Sequence, residues 1–357
     1  MNAIDGDKEK KVFRTWRQKR IFDAAVRDYI RTGEPVASGV LAGKYRLGLS
    51  PASVRKVLRE LEDLGLFERT HSTAGRTPTA KGFKVHADEV PRSARPPFPV
   101  RTRIKRELRR EDFLPESLFT LCSKVLTDVT NHMGLVMAPA LSSLGLRKLC
   151  FVKIGPGRFL SVMLTQNGTV QNKIFRTGED FTREELNEVN VFLDERTVPF
   201  TLDELKEDIL KDMGESRNEF ERIFRRAYVL TSEVFQATLG AEDEAGDIYA
   251  DDEGRTRLIA NADPRDAEAM RGLFRAFENK KRLMDLLNEV TSGDRVRVVF
   301  GSDGEDPGGL ALVASPYEAG RDVRGAVGVI GPRRLNYGEI VPVVDYAAKV
   351  LSEMFHG

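Results

Sequence analysis

The stretch "SPASVRKVLRELEDLGLF", residues 50–67, constrains this 357-residue chain more than any other. Ser50 is a good N-cap, and Pro51 suits the first helical position, whose amide would be unpaired anyway. Val54, Val57, Leu58, Leu61 and Leu64 recur at helical spacing and form one inward stripe, with Gly65 as the C-terminal stop. The opposite side keeps Ala52, Ser53, Arg55, Lys56 and Arg59, small residues first and basic ones after. Such a helix needs neighbours for its stripe and a negatively charged partner for its outer face.

The neighbours stand just upstream. In "TWRQKRIFDAAVRDYIRTGEP" the positions Ile21, Ala25 and Tyr29, flanked by Phe22, Val26 and Ile30, repeat at i+4, and Gly33 and Pro35 end that helix. In "VASGVLAGKYRLGLS" a second helix starts at Ser38, buries Val40, Leu41 and Tyr45, and breaks at Gly48. Three helices, then "LFERT" and the turn-rich "RTHSTAGRTPT", residues 69–79, predict an N-terminal winged helix-turn-helix over residues 15–90. The third helix then enters the major groove of double-stranded DNA, where small side chains permit close approach and an arginine can bond a guanine edge. In the wing, Gly75 permits the tight turn and Arg76 reaches the DNA backbone or minor groove. The hydroxyls of Ser72, Thr73 and Thr77, beside His71, bond phosphates. His71 next to Ser72 does not make a nucleophile and its base, because adjacent loop residues rarely face each other and no third group orients the imidazole.

Charge divides the chain in the same place. Residues 1–110 hold 26 Lys+Arg against 13 Asp+Glu, a net of +13, while residues 111–357 hold 30 against 42, a net of −12. A basic end on an acidic remainder predicts that the first hundred residues meet a polyanion while the rest self-associates or senses. Residues 1–14 form a basic extension, and "PRSARPPFPVRTR" within 91–114 reads as a Pro/Arg-rich linker.

Beyond the linker a helix is expected from about Pro115 to Asn131. Leu118, Leu121, Cys122, Val125, Leu126 and Val129 lie on its apolar side, so Cys122 reads as core. "RKLCFVKIGPGRFLSVMLTQNGTVQNKIF" alternates as three strands, turned at Gly155-Pro156-Gly157 and at Asn167-Gly168. Strand patterns return only at "RVRVVF", "GLALVASPY" and "GAVGVIGP", before a closing helix from Tyr337 to Phe355. The simplest account is a single antiparallel sheet domain, residues 115–178 and 245–357, interrupted by helices over 179–244. Those helices need a second copy of themselves to bury their stripes.

Other chemistries find little support. Cys122 and Cys150 cannot make a disulfide framework, and His71, His86, His132 and His356 have no metal-ligand spacing. "GSDGEDPGG", residues 301–309, lacks the Gly-Lys-Ser/Thr ending of a phosphate loop and carries three acids, so it reads as a sheet loop. Paired acids such as Glu184-Glu185 sit on solvated helix faces. No apolar run approaches a membrane span and the start lacks a signal-peptide core, so the expectation is a cytoplasmic, nucleoid-associated protein without cofactor, metal or enzymatic activity.

"DYIRTGEPV", "LSPASVRKVLRELEDLGLFE" and "HSTAGRTPTAKGF", with "LTDVTNHMGLVMAP", "VASPYEAG" and "GAVGVIGPRRLNYGEIVPVVDYAAKVLSEM" downstream, resemble in that order the HrcA family of bacterial heat-inducible repressors. The resemblance covers roughly residues 17–357. It implies an α+β multidomain homodimer: a winged-helix domain, a GAF-like antiparallel sheet domain and a helical dimerisation domain inserted into that sheet domain. It also implies an inverted-repeat operator ahead of chaperone genes and the GroEL chaperonin as modulator, with repression relieved on heat stress. Lys56-Val57 stands where family members carry Asn-Asp, which adds a cation at the groove. A winged-helix regulator controlled by a small-molecule ligand in the GAF-like domain is the alternative, and an enzyme with a basic docking domain is a more distant one.

Overall fold

The computed structural model describes residues 12–69, 75–91, 93–109, 115–140, 144–197, 200–215, 221–238, 247–261, 280–300, 310–320 and 323–356. It is a mixed α/β protein with antiparallel sheets, divided into two compact units: Met1–Ala94 with Pro332–Glu339, and Arg95–Gly331 with Ile340–Gly357.

In the first unit, α1 (Trp16–Thr32) starts at Thr15, whose hydroxyl accepts from the amide of Gln18, and ends at Gly33 with φ 70. That left-handed cap is a conformation glycine adopts without steric cost. Helix α2 (Ser38–Lys44) buries Leu41, while Val40, expected inside, is half exposed. Helix α3 (Pro51–Asp63) buries Val54, Val57, Leu58 and Leu61, the stripe read from the spacing. Strands β1 (Phe67–Arg69) and β2 (Arg76–Pro78) pair antiparallel, and α4 (Ala80–Asp88) follows from a Thr79 cap. Phe22 sits at the centre with no exposure, its ring near those of Phe13 (4.9 Å), Phe67 (5.9 Å) and His86 (6.3 Å). Buried Asp28 ties α2 to α1: its carboxylate receives Lys44 Nζ at 2.5 Å, Tyr45 Oη at 3.1 Å and Arg31 Nη2 at 3.0 Å. Three donors compensate the cost of holding that charge out of water.

The second unit begins with a helix where a linker is expected. Helix α5 (Phe98–Leu108) buries Ile104 and Leu108, and Pro97 and Pro99 fall at its N-cap and first turn, where a missing amide costs nothing. It is followed by α6 (Pro115–Thr130) and β3 (Met133–Met137). Strands β4 (Leu146–Gly155), β5 (Arg158–Thr165) and β6 (Val170–Arg176) come next, then helices α7 (Arg183–Arg196), α8 (Leu202–Glu215) and α9 (Glu221–Thr238). The chain continues through β7 (Ile248–Ala250), α10 (Asp252–Asn261), α11 (Lys280–Thr291), β8 (Arg297–Phe300), β9 (Leu310–Gly320), β10 (Val323–Pro332) and α12 (Tyr337–His356). The loop expected at 301–309 and the basic start to residue 11 lie outside the described residues.

The expectation of one interrupted sheet is corrected. β4, β5 and β6 form their own three-stranded antiparallel sheet, and a separate five-stranded sheet runs β7-β3-β10-β9-β8. Packing explains the division. Phe151, Phe159, Met163 and Phe175 on one face of the small sheet share a core with Leu186, Val189 and Leu193 of α7, Leu205 and Ile209 of α8, and Leu230 and Val234 of α9. The charged helices thus find cover for their stripes in the strands that precede them, without a second copy. The core of the five-stranded sheet joins Leu135 and Met137 to Leu312, Ala326 and Ile330, with Leu287 and Val290 of α11 against them. Cys122 belongs to the buried side of α6, and burial pushes its thiol up to about 12.

His132, between α6 and β3, is mostly out of water; burial lowers its pKa to about 4, and its Nδ1 has no hydrogen-bond partner. The fold therefore holds it neutral, whereas the unfolded chain takes up a proton below about 6.5. Its contribution to stability is full above that value and is lost as the pH falls from about 6.5 towards 4. A His132→Gln variant, neutral at every pH, is expected to show a shallower fall of melting temperature across this window. An identical slope in both proteins would remove His132 as the cause.

Candidate nucleic-acid interface

Helix α3 carries the groove-facing residues. Ser50 Oγ accepts from the amide of Ser53 at 3.2 Å and lies 3.0 Å from its hydroxyl, so both hydroxyls are committed to starting the helix. The cap fixes the first turn and leaves the positive end of the helix dipole exposed. Ala52, Arg55, Lys56 and Arg59 are all exposed, and Ser53 is half buried. Arg55, Lys56 and Arg59 have no ion-pair partner among the described residues, whereas the acids of the same helix are engaged. Glu60 takes the amide of Gln18 at 2.8 Å, and Glu62 is held between two arginines. The N-terminal half of α3 is therefore a cationic surface with an alanine at its tip, able to approach a base-pair edge closely and to donate to it.

The expected wing divides differently. His71, Ser72 and Thr73 lie outside the described residues. Arg76 is buried at 6% exposure, and its Nε donates to Glu62 at 2.8 Å. It stands directly across the β1–β2 ladder from Arg69, whose Nε is 3.2 Å from the other oxygen of Glu62. Two like charges at opposed positions would repel, and the carboxylate between them turns the pair into a clamp joining α3 to the hairpin. Arg76 is thus a structural anchor, which corrects the expectation that it reaches DNA. Gly75 also has a different reason from a tight turn: a Cβ there would come within 2.6 Å of the Pro35 backbone and 2.7 Å of the Val36 carbonyl. Val36 and Arg76 exchange both backbone hydrogen bonds, so the chain before α2 adds to the hairpin edge. Thr77 pairs with Glu68 and is half exposed.

Two cations that the spacing did not single out border α3. Arg46 is exposed and sits at φ 45, in the left-handed region, just before Leu47 and Gly48, and its carbonyl accepts from Arg20 Nη2 at 3.4 Å. No pattern in the sequence marks a left-handed arginine. Arg46→Gly is expected to raise unfolding stability by about 0.5–1 kcal/mol, since glycine carries no steric penalty there and the Arg20 contact uses only the backbone. A lower urea midpoint would contradict this. Trp16, 69% exposed at the start of α1, lies between exposed Arg14 and Arg17 on the same unit.

Among the described residues there is no group of three or more His, Cys, Asp or Glu side chains able to hold a metal ion. Among them, too, no helix is long and apolar enough to cross a membrane.

Comparison with known proteins agrees with this picture. The family model of the HrcA protein C-terminal domain matches residues 116–341. A relative from Geobacter sulfurreducens called heat-inducible transcription repressor HrcA is 32% identical over 343 residues, covering 96% of this chain and 98% of its own. One of the same name from Syntrophobacter fumaroxidans is 31% identical over 346 residues, 95% and 96% of the two chains. A crystal structure described as that of a hypothetical protein superposes with a TM-score of 0.55 at 21% identity, over 96% of this chain and 98% of the other, and so shares the fold. With the family model matched over more than half its length and nearly full-length relatives above 30% identity, the chain belongs to the HrcA family.

Proposed function

We propose that the chain is a sequence-specific, DNA-binding transcriptional repressor of heat-shock (chaperone) genes, bound as a homodimer to an inverted-repeat operator and released on heat stress. The observation that carries this reading is the N-terminal half of α3, where Ala52, Arg55, Lys56 and Arg59 are exposed and uncompensated above a capped helix start. The first unit is read as a winged helix-turn-helix, with α2 and α3 as the helix pair and β1–β2 as the root of the wing. Arg55 and Lys56 face the bases, and Arg46 and Arg59 lie against the backbone. The five-stranded sheet with its helices is read as GAF-like.

Self-association is supported by the outer face of β4–β6. Val152, Ile154, Val170 and Ile174 are exposed there, and Val152, Leu160 and Ile174 form one cross-strand row. A contiguous apolar face of this kind marks an interaction surface. Two-fold pairing through this part of the chain sets the separation of two recognition helices, so operator half-sites stand one helical turn, about 34 Å, or a multiple of it, apart. The GroEL chaperonin is the expected modulator, binding the repressor and keeping it active until heat-denatured clients compete for it.

Genome-wide footprinting before and after heat shock tests the reading. The expected result is protection of an inverted repeat upstream of chaperone genes that disappears on heating. Protection that persists at high temperature would remove heat relief, and no protection of such a repeat would remove the role itself.

A further inference from the structure

Helix α5 has two faces with different employments. Ile104 and Leu108 are buried, Arg103 Nη2 binds Asp128 of α6 at 2.6 Å, and Arg109 pairs with Glu353 of α12. These contacts fix the helix to its own unit. Phe98, Thr102, Lys105 and Arg106 are exposed on the opposite side. Residues 95–109 hold six Lys/Arg and a single acid, Glu107, which lies 3.8 Å from Arg103 and 3.2 Å from Arg106. Arg101 rests against the Phe98 ring at 5.8 Å, and its Nε is buried with no hydrogen-bond partner. An outward face with such an excess of cations is not a general property of the chain, whose remainder from residue 111 is net −12.

We infer that α5 is a second DNA-contacting element, its outer face binding backbone phosphates of the duplex that flanks the operator. The inference rests on the repressor reading above and adds a surface to it. The nine residues between α4 and α5 can span about 30 Å at most, less than one turn of duplex at about 34 Å, so covalent reach alone keeps α5 near phosphates beside the recognition site. The face offers evenly spread charge over about 16 Å of helix with little apolar surface beyond Phe98. That suits a regular, sequence-independent partner such as a phosphate backbone better than an acidic protein, which needs a buried apolar anchor.

Phosphate contacts act through counterion release, so they alter affinity and its salt dependence without altering sequence choice. The full-length protein is titrated by fluorescence anisotropy against the footprinted inverted repeat alone, and against the same repeat lengthened by about ten unrelated base pairs at each end, one further turn of duplex. Wild type is expected to bind the longer duplex roughly tenfold more tightly at low salt. The Lys105→Gln/Arg106→Gln double variant, both positions on the outer face, should lose that advantage. Its log–log salt slope should flatten by about 0.9 for each phosphate contact removed, while its affinity for the short duplex holds. Equal wild-type affinities for both duplexes would overturn the inference, as would a variant that keeps the advantage or is weakened equally on both. Failure of wild type to bind the short repeat would instead overturn the repressor reading, and this inference with it. Circular dichroism melts that match wild type establish that the variant folds.

Discussion

Phe22→Ala is expected to cost the first unit about 3–5 kcal/mol of unfolding free energy, the largest effect of any change considered for this chain. Phe22 has no solvent exposure, and its ring packs against elements far apart in sequence: Phe13 before α1, Phe67 on β1 and His86 on α4. Alanine removes the transfer energy of the ring and leaves a cavity that three converging elements cannot easily close. Small domains have total stabilities of only about 5–15 kcal/mol, so a loss of this size leaves the first unit partly unfolded at growth temperature. Urea unfolding of the full chain, followed by far-ultraviolet circular dichroism, should show the transition of the first unit moved to much lower denaturant. A change below about 1 kcal/mol would mean that Phe22 is not the packing centre.

Arg55→Ala should weaken operator binding by about 1–3 kcal/mol, a factor of roughly 5 to 150, and relax sequence choice at one position of each half-site. The arginine is exposed on the first turns of α3, faces no carboxylate among the described residues and follows a tip of alanine and serine that lets the helix come close. Arg55→Lys keeps the charge but loses the forked donor geometry, so it should recover the salt dependence and not the selectivity. The informative contrast is Arg76→Ala. Arg76 is buried against Glu62, so its loss should lower the melting temperature and leave base preference unchanged. Competition between operator and single-base variants at fixed salt distinguishes the two. Operator selectivity that is unaltered in Arg55→Ala would remove Arg55 from the base contacts.

Local signals made α1 to α3 legible. The Ser50 cap, the glycine stops at Gly33 and Gly65 and the stripe from Val54 to Leu61 each act within a few residues, so the chain can be read one turn at a time. Arg76 was illegible for the opposite reason. A basic residue beside a glycine and hydroxyls reads as a phosphate contact, and only the cross-strand register with Arg69 and the reach of Glu62 turn it inward. Strand β3, "MGLVM", is buried throughout and therefore has no alternation to notice. The prolines around Phe98 hid α5, because breakers inside a helix are tolerated in its first turn and composition does not say which turn they occupy. Alternation identified β4, β5 and β6, but the choice of partner sheet lies in packing against α7 to α9, which period-2 patterning does not encode.

The exposed indole of Trp16 has a consequence for how this protein can be watched. It is the chain's single tryptophan, and it already sits in water while the helix it opens is folded. Heating that unfolds the core therefore shifts its emission little, and a fluorescence melt would pass over a transition that circular dichroism records. What does change its surroundings is an object laid over the first turn of α1, between Arg14 and Arg17. The indole is thus nearly blind to the loss of the fold and well placed to report the arrival and departure of a duplex, so occupancy can be followed in real time without a label.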